Sequence, residues 1–376
     1  MTKLKLPFIR EDLLNLSAYI PTPISENYQQ LTRLDANESP YNLPLELKIK
    51  LASFYEEKIE TNRYPDGSHL KLKNLIANYV NETVNLPQLI DNHNISMGNG
   101  SDELIRSILI ATCLNNKGSV LVANPTFSMY GILAQSLGII THTIARNDID
   151  FSWNLDLANE VINNQNNPPV KVIFMVHPNS PTANVLNADE IKWLKNLPSD
   201  ILVVIDEAYY EFSQQTLVSE LPNHFNWLIL RTFSKAFRLA AHRVGYAIAS
   251  SDIIKILEKI RLPYNLPTFS QLATELVLEN RDIILPSVKE VMKEKERVYQ
   301  ALIKNPLFKV WKSDANFIYL RLTNNPTSEN HNYFMEQLKD NNIIIRHTGN
   351  GLRISIGTVA ENDYLLSKIT KITDKI

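Results

Sequence analysis

Ile201-Leu202-Val203-Val204-Ile205 is a run of five apolar residues that ends on Asp206-Glu207-Ala208-Tyr209. With no polar residue at alternate positions, it suits a strand buried on both faces, as in a parallel sheet covered by helices. The acid that follows then stands at the mouth of a dry sheet, where a carboxylate needs a cation or hydrogen-bond donors. A helix cap would satisfy it, and so would the protonated ring nitrogen of a bound cofactor.

Working outward, six more runs share this texture: Ile95 to Met97, Ser119 to Ala123, Ile139 to Ile144, Lys171 to His177, Trp227 to Thr232 and Val244 to Ala249. Helical patterns at Asp102 to Cys113, Met129 to Leu137 and Asp189 to Leu194 lie between several of them. Alternation of this kind predicts an α/β fold whose large domain is a mostly parallel seven-stranded sheet. The texture changes from Ser251. Long helical patterns at Ile253 to Arg261, Ser270 to Asn280 and Val288 to Lys304 are broken by Pro263, Pro267 and Pro286. Strand-like runs at Phe308 to Trp311, Asn316 to Leu322, Ile343 to Arg346 and Leu352 to Ile356 precede a terminal helix after Ala360. This predicts a smaller α+β C-terminal domain.

In an open parallel sheet, ligands sit beyond the carboxyl ends of the strands, so the residues after each run bear the chemistry. Met97-Gly98-Asn99-Gly100-Ser101-Asp102-Glu103 opens a helix whose free N–H groups and dipole suit a phosphate. Ser101 or Asp102 also suits a plain N-cap, and the third glycine of a dinucleotide fingerprint is absent. In His177-Pro178-Asn179-Ser180-Pro181-Thr182, two prolines make a rigid turn that fixes Asn179 at a strand tip. Leu230-Arg231-Thr232-Phe233-Ser234-Lys235-Ala236-Phe237 places a lysine after a buried strand, between aromatic rings, with Arg243 beyond it. Desolvation and nearby positive charge lower a lysine's pKa, which an amine nucleophile requires.

Composition narrows the partners. The chain has 376 residues, 44% hydrophobic, with 38 Lys+Arg against 40 Asp+Glu and a formal net charge of −2. No basic stripe or acidic tail points to nucleic acid or a membrane surface. No run approaches the ~18 apolar residues of a membrane span, and Met1 to Asp12 carries acids where a signal peptide is apolar. Cys113 is the single cysteine and reads as a buried core thiol. The eight histidines fall in no His-x-x-x-His arrangement, so no metal is expected. The expectation is a soluble, cytoplasmic protein.

Asn179, Asp206, Tyr209, Lys235 and Arg243, in that order and spacing, resemble the fold-type I pyridoxal-phosphate aminotransferases, and within them the histidinol-phosphate aminotransferases. The resemblance runs from about Leu16 to Glu361. Its distinctive pieces are Leu34-Asp35-Ala36-Asn37-Glu38-Ser39-Pro40-Tyr41, Asn62-Arg63-Tyr64-Pro65-Asp66-Gly67, the Gly98 to Glu103 segment, Asp206 to Tyr209 and Arg231 to Phe237.

The resemblance implies pyridoxal 5'-phosphate as cofactor, with Lys235, Asp206 and Tyr209 as catalytic residues. Lys235 would hold the cofactor as a Schiff base and later carry the proton at the α-carbon. Asp206 would pair with the pyridinium nitrogen, Asn179 and Tyr209 would reach the phenolic oxygen, and Phe127 would stack on the ring. Gly100, Ser101, Asp102, Thr232, Ser234 and Arg243 would hold the phosphate, joined by Tyr64 from the other subunit of a homodimer. Arg346 and Arg353 would face the anionic group of the substrate, with Tyr19 and Asn37 as walls of that pocket.

The division it implies is 1–45 as an N-terminal segment serving the small domain and the dimer, 46–265 as the cofactor domain and 266–376 as the small domain. The partners would be a small-molecule amino donor and a 2-oxo acid. The reaction implied is transfer of an amino group between histidinol phosphate and 2-oxoglutarate in histidine biosynthesis. An aromatic amino-acid aminotransferase and a threonine-phosphate decarboxylase of the same fold are the alternatives. Ser180 stands where the family usually has asparagine, and Phe127 where tyrosine is common.

Overall fold

The structure, a computed structural model, describes residues 8–16, 31–86, 88–164, 167–323 and 326–373. After a short strand β1 (Thr32–Arg33) come the seven strands of the main sheet. They are β2 (Ile95–Asn99), β3 (Ser119–Asn124), β4 (Thr141–Ala145), β5 (Val170–Val176), β6 (Leu202–Asp206), β7 (Trp227–Thr232) and β8 (Val244–Ala249). Their spatial order is β2-β8-β7-β6-β5-β3-β4. Strands β7, β6, β5, β3 and β4 pair in parallel, while β8 is antiparallel to both of its neighbours.

Strand period 2 divides the apolar side chains between two cores. Val203, Ile205, Ile229, Ile173 and Met175 face one, with helices Leu45–Lys58, Leu70–Val84 and Thr268–Glu279. Val204, Leu228, Leu230, Val172 and Phe174 face the other, with helices Gly100–Thr112, Met129–Ser136 and Ser251–Ile260. Cys113 lies in this second core, where burial pushes its thiol pKa up. The same alternation sends the two acids after β6 to opposite faces. Asp206 meets Tyr130 of the second core, and Glu207 meets Arg231 at the end of β7.

The remaining strands are β9 (Phe308–Val310), β10 (Phe317–Leu322), β11 (Ile343–Ile344), β12 (Arg346–Thr348) and β13 (Gly351–Ser355). Four of them form an antiparallel sheet in the order β12-β13-β10-β9, while β11 pairs in parallel with β1. The run Ile343 to Arg346, expected as one strand, is therefore two strands in two sheets, with the chain turning at Ile345. A third core packs this sheet with helices Pro286–Leu302, Ser328–Lys339 and Val359–Thr373. Leu34, Ala183, Tyr209 and Ala236 belong to the same cluster, so the strand tips of the main sheet abut the antiparallel sheet. Among the described residues, no helix is long and apolar enough to cross a membrane.

Glu207 and Arg231 are fully buried and 2.9 Å apart, and Thr216 and the Leu217 amide complete the donors around the carboxylate. Removing one member of such a pair leaves the other charged and dry. Glu207→Ala should cost about 3–5 kcal/mol in urea unfolding, and a loss under about 1 kcal/mol would show that the pair does not hold β6 to β7.

Candidate active site

Six of the seven main-sheet strands end on one edge, and the reversed β8 begins there, which brings Arg243 to the same edge. Gly100 opens a helix with φ +73°, and a Cβ on it would strike Arg243 Nη2 at 2.5 Å. A Cβ on Gly245 would strike the Ser101 amide nitrogen at 2.6 Å. Helix start and β8 are thus pressed together at a spacing that only glycine allows. Arg243 Nη1 donates to Ser234 Oγ at 3.2 Å, and Nη2 to Asp102 Oδ2 at 3.3 Å. Thr232 Oγ1 accepts the Ser234 amide at 3.1 Å. Helix-start amides, two hydroxyls and a guanidinium form a cradle suited to a phosphate, with Asp102 offering its N–H while its carboxylate pairs with Arg243.

Asp206 is 3% exposed. Its Oδ2 accepts the Tyr130 hydroxyl at 2.6 Å, and its Oδ1 accepts the Ala208 amide at 3.0 Å. Burial nevertheless pushes its pKa up to about 6, against the pull of these two donors. Asn179 is fully buried, its Oδ1 accepting from Thr126 at 3.0 Å and from Arg146 at 3.2 Å. Its Nδ2 donates to Pro125 O at 3.1 Å and to Thr182 Oγ1 at 2.6 Å, so reaching a ligand oxygen would require one of these bonds to yield. Phe127 meets Tyr130 edge-on at 5.5 Å between centroids.

Lys235 is half-buried, and its Nζ donates to Ala36 O at 2.9 Å, 5.9 Å from the ring centre of Tyr209. Burial lowers its pKa, with Arg353 and Arg243 acting the same way and Tyr209 and Glu38 opposing. Tyr209 Oη accepts Asn37 Nδ2 at 2.9 Å, and Asn37 is held in turn by Ser355, whose Oγ donates to Asn37 Oδ1 at 3.1 Å. Arg353, on β13, donates to Ser180 Oγ at 3.1 Å and to Asp35 O. Ser180, which stands where the family usually has asparagine, thus meets this arginine. Arg346 lies directly across from Arg353 in the β12–β13 register. Tyr64 stands apart, 81% exposed and stacked on Tyr264. Tyr19 lies outside the described residues.

Three residues at this edge were not singled out from sequence. Arg146 follows β4, and the rule that directed attention to strand ends applies to it equally. Its buried guanidinium donates to Ala123 O, Phe151 O and Asn179, and burial lowers its pKa to about 10, leaving it charged at neutral pH. Ser355 is two residues from Arg353 on one strand and so shares its face. Tyr130 carried no signal, since within an apolar helix its ring reads as core.

The donor set fits pyridoxal phosphate: a phosphate cradle closed by Gly100 and Gly245, a buried carboxylate that meets no cation among the described residues, and a half-buried amine on a shared edge. Known proteins agree with this picture. The model of the family "Aminotransferase class I and II" matches residues 29–369. The chain is 54% identical to a histidinol-phosphate aminotransferase of Trichodesmium erythraeum over 370 residues, 96% of this chain and 98% of that one. It is also 54% identical to histidinol-phosphate aminotransferase 2 of a Nostoc species over 372 residues, 97% of each. The solved structure of a histidinol-phosphate aminotransferase from Sinorhizobium meliloti in complex with pyridoxal-5'-phosphate has a TM-score of 0.83 at 20% identity, covering 99% of both chains. That likeness establishes the shared fold.

A carboxyl whose pKa rises on folding binds its proton more tightly in the native state, so its contribution to stability is full below the unfolded pKa and is lost as pH rises through the folded one. For Asp206 that window runs from the ordinary aspartate value to about 6. In protein prepared without cofactor, Asp206→Asn should therefore be more stable than wild type at pH 8 by about 2–3 kcal/mol, with the difference shrinking toward zero at pH 4. Denaturant unfolding at the two pH values measures it, and a variant less stable at pH 8 would contradict the assignment.

Proposed function

Because this chain belongs to the aminotransferase class I and II family, we propose that it is a histidinol-phosphate aminotransferase using pyridoxal 5'-phosphate. It moves an amino group between L-histidinol phosphate and 2-oxoglutarate, giving imidazole acetol phosphate and glutamate, and runs in either direction. The carrying observation is the half-buried Lys235 amine on the same sheet edge as the buried Asp206 carboxylate, which forms no ion pair among the described residues. The names of the relatives at 54% identity support the substrate.

Pyridoxal phosphate, when bound, supplies a carbonyl that joins amines and a ring that accepts the electrons left when the α-carbon loses its proton. Lys235 would hold the cofactor and, when free of it, would move the proton at the α-carbon, and the desolvation that lowers its pKa favours that use. Asp206 would hold a proton on the ring nitrogen, and Tyr130 and the Ala208 amide hold Asp206 in place. Asn179 and Tyr209 would serve the phenolic oxygen, and Phe127 would stack on the ring. Gly100, Ser101, Asp102, Thr232, Ser234 and Arg243 bind the phosphate. Tyr64 serves the partner's site in a homodimer; its exposed ring on the surface suits that use.

Arg346 and Arg353 recognise the anionic end of the substrate, with Asn37 and Tyr19 as walls. They lie directly opposite on adjacent strands, so two guanidinium groups can meet one anion. The large domain is assigned to 46–265 and the small one to 266–376, with 1–45 as an N-terminal segment contributing to the small domain and the dimer.

The test is the visible spectrum of the purified protein before and after histidinol phosphate, with no 2-oxo acid present. The lysine-linked cofactor band should convert to that of the amine form. Conversion by aromatic amino acids alone would leave an aminotransferase of another substrate, and release of carbon dioxide from threonine phosphate would mark a decarboxylase. Lys235→Ala should abolish turnover. Arg346→Gln should raise KM for histidinol phosphate on the order of tenfold or more while changing kcat little, and an equal KM effect on an unphosphorylated, uncharged analogue would remove Arg346 from that role.

A further inference from the structure

The segment 261–271 links helix Ser251–Ile260 to helix Thr268–Glu279 and includes the first turn of the latter, and Arg261, Asn265, Ser270 and Gln271 reach from it in two directions. On one side it grips the loop that carries Tyr64. Arg261 Nη2 donates to Gly67 O, Gln271 Nε2 donates to Asp66 O at 3.0 Å, and the Tyr264 ring lies flat on Tyr64 with centroids 4.7 Å apart. On the other side it grips the phosphate cradle. Asn265 Nδ2 donates to Met97 O at 3.0 Å and to Glu103 Oε2 at 2.9 Å, and that same Glu103 oxygen accepts the Asn99 amide just before Gly100. Ser270 Oγ donates to His242 O at 2.8 Å, one residue before Arg243.

The two grips share a foundation. Arg261 Nε donates to Glu258 Oε2 at 3.0 Å, and Lys73 and Ser96 complete that carboxylate's partners at 3.1 and 2.8 Å. Arg261 Nη1 also reaches Asn265 Oδ1 at 3.4 Å, which turns the amide so that its N–H groups face Met97 and Glu103. None of these side chains lies in the cradle. Each holds a backbone or carboxylate that does, or that leads into the Tyr64 loop.

Resting on the shared-site reading above, we propose that residues 261–271 act as a bracket serving two phosphate sites at once. Asn265 positions the cradle of its own subunit, and Gln271 positions Tyr64 for the cradle of the partner. Arg261 joins the two. Substitutions in one short segment therefore act on different active sites of the dimer, according to which side of the bracket they release.

Mixed dimers of two differently tagged full-length chains test this. One chain carries Lys235→Ala, so that only the other chain's site gives the visible band of lysine-linked pyridoxal phosphate, and titrating that band reports the affinity of one site. Asn265→Ala should weaken the reporting site about three- to tenfold when placed on the reporting chain and leave it unchanged when placed on the other. Gln271→Met should do the reverse, and Arg261→Lys should weaken the site from either chain. Dimer mass and melting temperature check assembly, and Gln271→Asn, which withdraws the donor from Asp66, replaces Gln271→Met where that variant fails to assemble. Equal effects from both placements of Gln271, or an effect on its own chain only, would overturn the bracket. Tyr64→Phe on the silent chain separates the two readings. If it weakens the reporting site while Gln271→Met does not, the shared site stands and the bracket falls; if it has no effect, both fall.

Discussion

Asp206 and Glu207 are adjacent acids at the end of one apolar strand, and the pleat sends them to opposite faces of the sheet. Glu207 receives a full protein counterion in Arg231, together with Thr216 and a backbone amide. Asp206 receives only a phenol and an amide, and among the described residues it forms no ion pair. Carboxylates in a dry interior are costly unless charge is matched, so the chain has matched one and left the other with its pKa raised. The paired acid fixes the strand tips; the unpaired one reserves a place for a positive group from outside the polypeptide. The rest of the edge is arranged around that reservation, with the amine of Lys235 and the phosphate cradle on neighbouring strand ends.

Much of this was legible in the sequence because strands buried on both faces leave unbroken apolar runs, and all seven runs became strands of one sheet. Strand ends then pointed to Asn179, Asp206, Lys235 and Arg243 with no knowledge of contacts. What the runs do not encode is direction. The pattern Val244 to Ala249 is equally apolar read either way, and only the structure places β8 antiparallel, which carries Arg243 to the site at the start of a strand rather than the end. The split at Ile345 was hidden for a related reason, since two short strands in different sheets look like one run when both are buried. Tyr130 was hidden by its apolar ring: a phenol on an inward helix face differs from a phenylalanine by one atom, and that atom's partner is 76 residues away in sequence.

The substrate side of the edge is built on different terms from the cofactor side. Apart from Tyr64, the residues proposed for the cofactor sit on the main sheet or follow its strand ends, whereas Arg346, Arg353 and Ser355 come from the antiparallel sheet. The two meet through short polar links. Ser355 holds Asn37, Asn37 holds Tyr209, and Arg353 reaches Ser180 and the Asp35 carbonyl. Tyr209 also packs edge-on against Phe317 at 5.0 Å between centroids, inside the core that the strand tips share with the antiparallel sheet, so apolar packing joins the two sides together with these hydrogen bonds, each worth about 1 kcal/mol net.

In the proposed enzyme the same two arginines would take two anions of different shape, a phosphate in one half-reaction and a carboxylate in the other. A guanidinium presents a planar fork to either, which an ammonium does not. Arg353 donates to two oxygens, one on the turn after β5 and one in the N-terminal segment, which ties it to the strand tips of the main sheet. Arg346 begins β12 immediately after the turn at Ile345 and lies directly across from it. In the proposed enzyme the anion would therefore be met by a pair of guanidinium groups on one small sheet, one of them anchored to the edge that carries Lys235 and Asp206.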